Sequence, residues 1–297
     1  MPITCEFRYL RPKTLNDVLN FLSHCGSEAK ILAGGTDLII KLKEDIEKPK
    51  CVIDIKDVKE FYGLKFSKGE LKIGALATFS DIIDSPLVKN RFPLIWEMAH
   101  AVASSGIRNR ATVVGNICSA VPSADSAPVL EVYEASVIAI SLRGERKISI
   151  NDWFTGPKKT VLREDEIVSR VEVPLPKTRH DGAYLKLSRY DGEDLAQAGI
   201  AVLAFSNGTF RIAHCALGPK PERAINAEKI LKSKSPASLN IEKAKKEFLK
   251  QIKPISDIRS TKEYRIHMAG VMFKRAVEKA VLRLKGRGLK YGDGQVV

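Results

Sequence analysis

Ile31-Leu32-Ala33-Gly34-Gly35-Thr36-Asp37-Leu38 is the stretch on which the architecture turns. A short strand, Lys30–Ala33, runs into paired glycines and a hydroxyl, and apolar residues resume at once. Consecutive glycines let backbone N–H groups converge with no Cβ in the way, a geometry suited to phosphate oxygens. A lone Gly-Gly is also an ordinary tight turn, and the spacing is not GxGxxG, so it does not support a Rossmann cofactor site. Upstream, Thr14 reads as the N-cap of a helix carrying Leu15, Val18, Leu19 and Leu22 at helical spacing. Downstream, Cys51–Ile55 reads as a second strand. Residues 1–55 thus form a small α/β unit.

A second α/β unit is expected over residues 56–176. Glu70–Ala77 alternates as a strand, residues 86–104 read as mostly helical, and Val137–Leu142 with Arg146–Ile150 form a hairpin through Arg143-Gly144-Glu145. Glu166–Val173 is a strand ended by Pro174 and Pro176, and this proline stretch marks the domain boundary. Beyond it the pattern changes to three strands, Ala183–Arg189, Gly199–Phe205 and Thr209–Ala216, the last two meeting at the hairpin signal Asn207-Gly208. Helices follow over Pro221–Lys232, Ile241–Ile252 and Thr261–Lys285, the last opened by the capping-box pattern Ser260-Thr261-Lys262-Glu263. Strands followed by helices make residues 177–297 an α+β domain with a three-stranded antiparallel sheet.

The second segment with chemical potential runs from Arg108 to Asp125: RNRATVVGNICSAVPSAD. Its centre is small, polar and uncharged in a chain otherwise dense with lysine. Clustered Thr, Ser, Asn and Gly offer short donors and exposed backbone to a polar ligand, and loops this long in compact domains usually serve a function.

Composition narrows the classes. The chain has 297 residues, 44% hydrophobic and 28% charged, which is ordinary for a folded protein and long enough for about two domains. The longest apolar run, Ala198–Phe205, is strand-sized, so no membrane span is expected, and the start of the chain shows no secretory pattern. Five scattered cysteines without a CxxC argue against a disulfide framework or a metal or iron–sulfur site, and a cytoplasmic location is the default. No paired carboxylates, Ser/His/Asp set or metal-ligand spacing stands out. The net charge of +14 is lopsided: residues 219–297 hold 20 basic and 8 acidic side chains, a net of +12. Such a quarter suits a solvated outer surface, the docking of acidic partners, or nucleic acid. Aromatics are sparse there, however, and Phe248 and Phe273 lie on apolar helix stripes, which disfavours nucleic acid.

Ala33-Gly34-Gly35-Thr36-Asp37 and Thr112-Val113-Val114-Gly115-Asn116 with Pro122-Ser123-Ala124-Asp125 resemble the two flavin-binding segments of the FAD (medium) subunit of molybdenum hydroxylases, the family of carbon monoxide dehydrogenase and xanthine dehydrogenase. The likeness covers essentially the whole chain, from Phe7-Arg8-Tyr9-Leu10-Arg11-Pro12 through Ile107-Arg108-Asn109 and Asp165-Glu166-Ile167-Val168 to Asp257-Ile258-Arg259-Ser260 and Tyr264-Arg265. It implies an FAD-binding part of two α/β subdomains like that of vanillyl-alcohol oxidases, plus a C-terminal α+β domain. It also implies that Leu32, Ala33, Gly34, Gly35, Thr36, Asp37 and Leu38, with Thr112, Val113, Val114, Gly115 and Asn116, wrap the FAD. Val102, Asp125, Val168 and Lys186 match further contact positions, Lys186 as a cation beside the reduced ring and Tyr190 as a cover over the isoalloxazine face. The family usually has glycine where Val114 stands. A β-branched residue disfavours positive φ, so that position is either extended or the loop differs. The implied role is an electron-transfer subunit. A small partner would carry two [2Fe-2S] clusters and a large partner the molybdenum cofactor, assembled as a dimer of heterotrimers. The competing readings are a basic nucleic-acid-binding protein and a free-standing flavin oxidase.

Overall fold

A computed structural model describes residues 2–190, 194–232 and 238–292. The first unit contains β1 (Arg8–Leu10), α1 (Leu15–Cys25), β2 (Ala29–Leu32), α2 (Leu38–Lys43) and β3 (Cys51–Asp54). Its strands form a parallel sheet of order β1-β3-β2. Thr14 caps α1 by accepting the Asp17 amide, and Val18, Leu19 and Leu22 are buried, as their spacing predicts. β3 is buried along its whole length because it lies between two neighbours in a covered parallel sheet.

The second unit begins with β4 (Leu64–Ser67) and β5 (Glu70–Gly74). Six short helices follow: α3 (Phe79–Asp84), α4 (Pro86–Arg91), α5 (Pro93–His100), α6 (Ser105–Arg108), α7 (Val113–Ser119) and α8 (Ser126–Val132). The chain then returns through β6 (Ser136–Ser141), β7 (Gly144–Ser149), β8 (Phe154–Gly156), β9 (Lys159–Thr160) and β10 (Ile167–Pro174). An antiparallel sheet of order β4-β5-β10-β6-β7 results. The helical run expected over 86–104 is broken by Pro93 and stops at His100. The β6–β7 turn is also tighter than the sequence suggested: Ser141 pairs with Gly144, leaving only Leu142-Arg143 at the tip, and Gly144 takes φ +108°.

The third part holds β11 (His180–Leu187), β12 (Ala198–Phe205), β13 (Phe210–Cys215), β14 (Glu222–Arg223), α9 (Ile225–Leu231), α10 (Ser238–Gln251) and α11 (Lys262–Leu284). The expected antiparallel sheet gains a two-residue fourth strand, β14, which occupies residues assigned from sequence to the start of α9. Asn207-Gly208 makes the predicted turn, with Gly208 at φ +87°. Thr261, not Ser260, caps α11, accepting the Tyr264 amide; Ser260 instead closes a turn on Asp257. The continuous burial of β12 has a specific cause. Ala201, Leu203 and Phe205 join the core of the first two units, while Ile200, Val202 and Ala204 pack beneath α10 and α11. The sheet is therefore a shared wall. A buried pair fastens it: Arg283 of α11 donates to Glu97 of α5 at 2.7 and 3.0 Å, and Glu97 also accepts the Tyr184 amide. Among the described residues no helix is long and apolar enough to cross a membrane.

Candidate functional site

The loop after β2, the segment from Ala101 to Asp125 and the end of β11 meet around a cleft of about 340 Å³. Close approach of backbones shapes its floor. A Cβ on Gly34 would lie 1.9 Å from the Arg110 carbonyl oxygen, so only glycine lets the β2–α2 loop press onto the 110–111 backbone. Gly35 follows at φ +81°, a conformation that favours glycine. Ser119 Oγ then donates to Asp37 Oδ2, tying the loop to α7. Because Asp37 is so engaged, its side chain does not cap α2. The Ile39 amide instead donates to the Gly35 carbonyl at 3.0 Å, which closes the first turn of α2 on the loop itself.

The second glycine-containing segment is a helix and not a loop. Thr112 Oγ1 accepts the Gly115 amide at 2.9 Å, and Trp153 Nε1 donates to the Ile117 carbonyl at 3.0 Å, pinning both ends of α7. Val114 therefore has helical dihedrals and a buried side chain, which corrects the expectation of an extended conformation there. Asn116 Oδ1 accepts from the Ser126 hydroxyl and so fixes α7 to the start of α8.

Lys186 reaches the cleft from β11 and is not a free cation. Its Nζ donates to Asp125 Oδ2 and to the Ala101 carbonyl, both at 2.9 Å, and lysine and aspartate side chains are each only 8% exposed. An ammonium has three donors, so one N–H remains for a ligand. Burial pushes the Asp125 carboxyl up, and the Lys186 charge opposes that shift. Arg108 Nη1 donates to the Val102 and Ala103 carbonyls, holding the turn that brings Val102 to the cleft wall.

The residues expected at the site divide into three groups. Gly34, Thr36, Asp37, Val102, Thr112, Gly115, Asn116, Asp125 and Lys186 line the cleft together. Leu32, Ala33, Gly35, Leu38, Val113 and Val114 stand behind them as part of the same segments, with Leu32, Val113 and Val114 buried in the core. Val168 and Tyr190 sit apart. Val168 is buried within β10, opposite Ala139. Tyr190 is 67% exposed with the Arg189 guanidinium over its ring, and its loop neighbours Asp194 and Leu195 line the cleft instead. Residues 191–193 lie outside the described residues. The sequence reading also missed Ile40, Phe79, Ile107 and Val121, the apolar walls. Ile107 and Val121 lay within or beside the segment it singled out, whereas nothing local marked Phe79 or Leu195.

Glycine-bared backbone, apolar walls and one buried ammonium fit a flavin dinucleotide: bare backbone for the pyrophosphate, apolar faces for the ring, a cation for charge on it. The fold and cleft thus fit a class, a flavoprotein built from a mixed α/β body and a docked α+β domain. Comparison with known proteins gives the family. Residues 5–176 match the model described as the FAD binding domain in molybdopterin dehydrogenase, and residues 183–280 match the CO dehydrogenase flavoprotein C-terminal domain. The xanthine dehydrogenase FAD-binding subunit of Escherichia coli is 34% identical over 94% of this chain and 97% of its own length. The carbon monoxide dehydrogenase medium chain of Hydrogenophaga pseudoflava is 32% identical over 94% and 98%. Among solved structures, a carbon monoxide dehydrogenase from Hydrogenophaga pseudoflava superposes with a TM-score of 0.90 at 33% identity, covering 94% of this chain and 98% of that one. Quinoline 2-oxidoreductase from Pseudomonas putida superposes at 0.89 with 27% identity, covering 96% and 99%. The chain belongs to the FAD-binding (medium) subunits of the molybdenum hydroxylases, and is an oxidoreductase subunit whose cofactor is FAD.

Proposed function

We propose that this chain takes electrons from [2Fe-2S] clusters of a small partner subunit and passes them through FAD to an external acceptor, while a large subunit with the molybdenum cofactor oxidises the substrate. The observation that carries this reading is the coincidence of the glycine-lined cleft with the segments that resemble the family's flavin-binding motifs. FAD supplies one- and two-electron redox chemistry when bound. The chain's own residues bind and tune. The glycine-bared Gly34–Leu38 loop would hold the pyrophosphate, Val102, Ile107 and Phe79 would wall the ring, and Lys186 would offer its remaining N–H, with Asp125 moderating its charge. The two functional units are residues 1–176, with subdomains at about 1–55 and 56–176, and 177–297, the second contributing Lys186. The assembly is a cytoplasmic dimer of heterotrimers.

The nucleic-acid reading has less support, because Phe248 and Phe273 stack on each other at 5.0 Å in the core and offer no face to a base. Co-purification from the native source, with molybdenum, iron and flavin analysis, tests the proposal. Two metal-bearing chains, one larger and one smaller than this one, are expected to accompany it, with one FAD per copy of this protein. A chain that purifies alone and turns over a small substrate by itself would make it a free-standing oxidase.

A further inference from the structure

The Lys186–Asp125 pair is completed by a residue behind the cleft wall. Tyr184 lies two positions before Lys186 on β11, so both side chains leave the same face of the strand. The Tyr184 hydroxyl donates to Asp125 Oδ1 at 2.6 Å, while Lys186 Nζ donates to Oδ2 at 2.9 Å. Each carboxylate oxygen therefore has its own donor. The room for the phenol is built in. Gly199 lies opposite Lys186 in the sheet, and a Cβ there would fall 2.9 Å from the Tyr184 hydroxyl and 2.5 Å from Cys215 Sγ. Tyr184 is buried, and burial raises its pKa well above the ordinary phenol value, so the hydroxyl stays a donor across the working pH range. Asp125 lies in the second unit, whereas Tyr184, Lys186 and Cys215 belong to the C-terminal sheet, so this knot also closes the seam between them.

We propose that Tyr184 is a positioning residue. Its hydroxyl holds the Asp125 carboxylate in place and draws off part of its negative charge, so that Lys186 presents its remaining N–H to the cleft with its charge less than fully cancelled. The inference rests on the FAD reading of the cleft. Removing the hydroxyl makes Asp125 lean harder on Lys186, and the cleft then favours negative charge on the bound cofactor less.

The test uses the full chain at pH 8 in five forms: wild type, Tyr184→Phe, Lys186→Met, Asp125→Asn and the Tyr184→Phe/Lys186→Met double variant. The readout is the affinity for reduced relative to oxidised FAD, obtained from binding constants and from the midpoint potential of the bound flavin. Tyr184→Phe is expected to weaken the relative affinity for reduced FAD by roughly threefold, a fraction of one hydrogen bond. Lys186→Met shifts it further in the same direction, and Asp125→Asn shifts it the opposite way. In the Lys186→Met background Tyr184→Phe adds nothing, because its effect passes through Lys186. An unchanged ratio in folded Tyr184→Phe, or an equal shift in both backgrounds, overturns the proposal. If Tyr184→Phe does not fold, Asp125→Asn decides, and an unchanged ratio there overturns it as well. Failure of the wild type to bind FAD defeats the underlying reading instead.

Discussion

Burial holds the His214 imidazole uncharged on β13, where its ring meets Phe248 edge-on at 5.6 Å and neither ring nitrogen has a hydrogen-bond partner. That burial brings its pKa down to about 4 from the ordinary 6.5. The folded chain therefore refuses a proton that the unfolded chain accepts as pH falls below 6.5, and stability drains away between pH 6.5 and about 4. At 1.36 kcal/mol per pH unit the loss from this one group is about 3 kcal/mol. His214→Leu removes both unpartnered nitrogens and the titration while keeping an apolar filler of similar bulk. At pH 8 the variant should lie within about 1 kcal/mol of wild type or above it, since an unsatisfied buried polar group has been deleted. Urea denaturation of both proteins from pH 8 to pH 4.5 checks this. Every other titrating group is shared and cancels in the difference, so the stability gap should widen in favour of the variant steadily below pH 6.5. Parallel curves, with a gap independent of pH, would refute the reasoning.

Three further outcomes follow from the packing. Gly34→Ala must push the β2–α2 loop off the Arg110 carbonyl, which should cost about 2 kcal/mol of stability and weaken FAD binding at least about tenfold, read by flavin fluorescence titration. Ser119→Ala releases Asp37 and should weaken FAD binding by roughly fivefold, about the worth of one hydrogen bond, with little change in Tm. Arg283→Met leaves Glu97 buried with its strongest partner gone. Thermal unfolding should show a loss of about 3 kcal/mol or more, and limited proteolysis should cut between residues 176 and 183 more readily.

Much of the architecture was legible because local and global preferences agree. Thr14, Asn207-Gly208 and the strand ending at Pro174 each specify a local geometry that the tertiary structure keeps. Where the reading slipped, tertiary contacts outweighed propensity. Two valines and a glycine at 113–115 are poor helix formers, yet the Thr112 cap, the Trp153 bond and the burial of Val113 and Ile117 make α7 a helix. The glycine floor of the cleft could be read from consecutive residues. Its other elements could not: Lys186 and Asp125 are 61 positions apart, and neither residue type announces the other. Phe79 and Leu195 reach the same cleft from distant turns that carry no motif. Val168 and Tyr190 entered through family resemblance alone, and the structure places both away from the lining.

The most direct measurement of the central claim is the flavin content of the purified chain. After incubation with FAD and removal of the excess, the absorbance spectrum should show close to one FAD per chain, with FMN or riboflavin binding far more weakly for want of the adenylate and its pyrophosphate link. A chain that stays colourless after incubation with FAD, or that takes up all three flavins alike, would contradict the account.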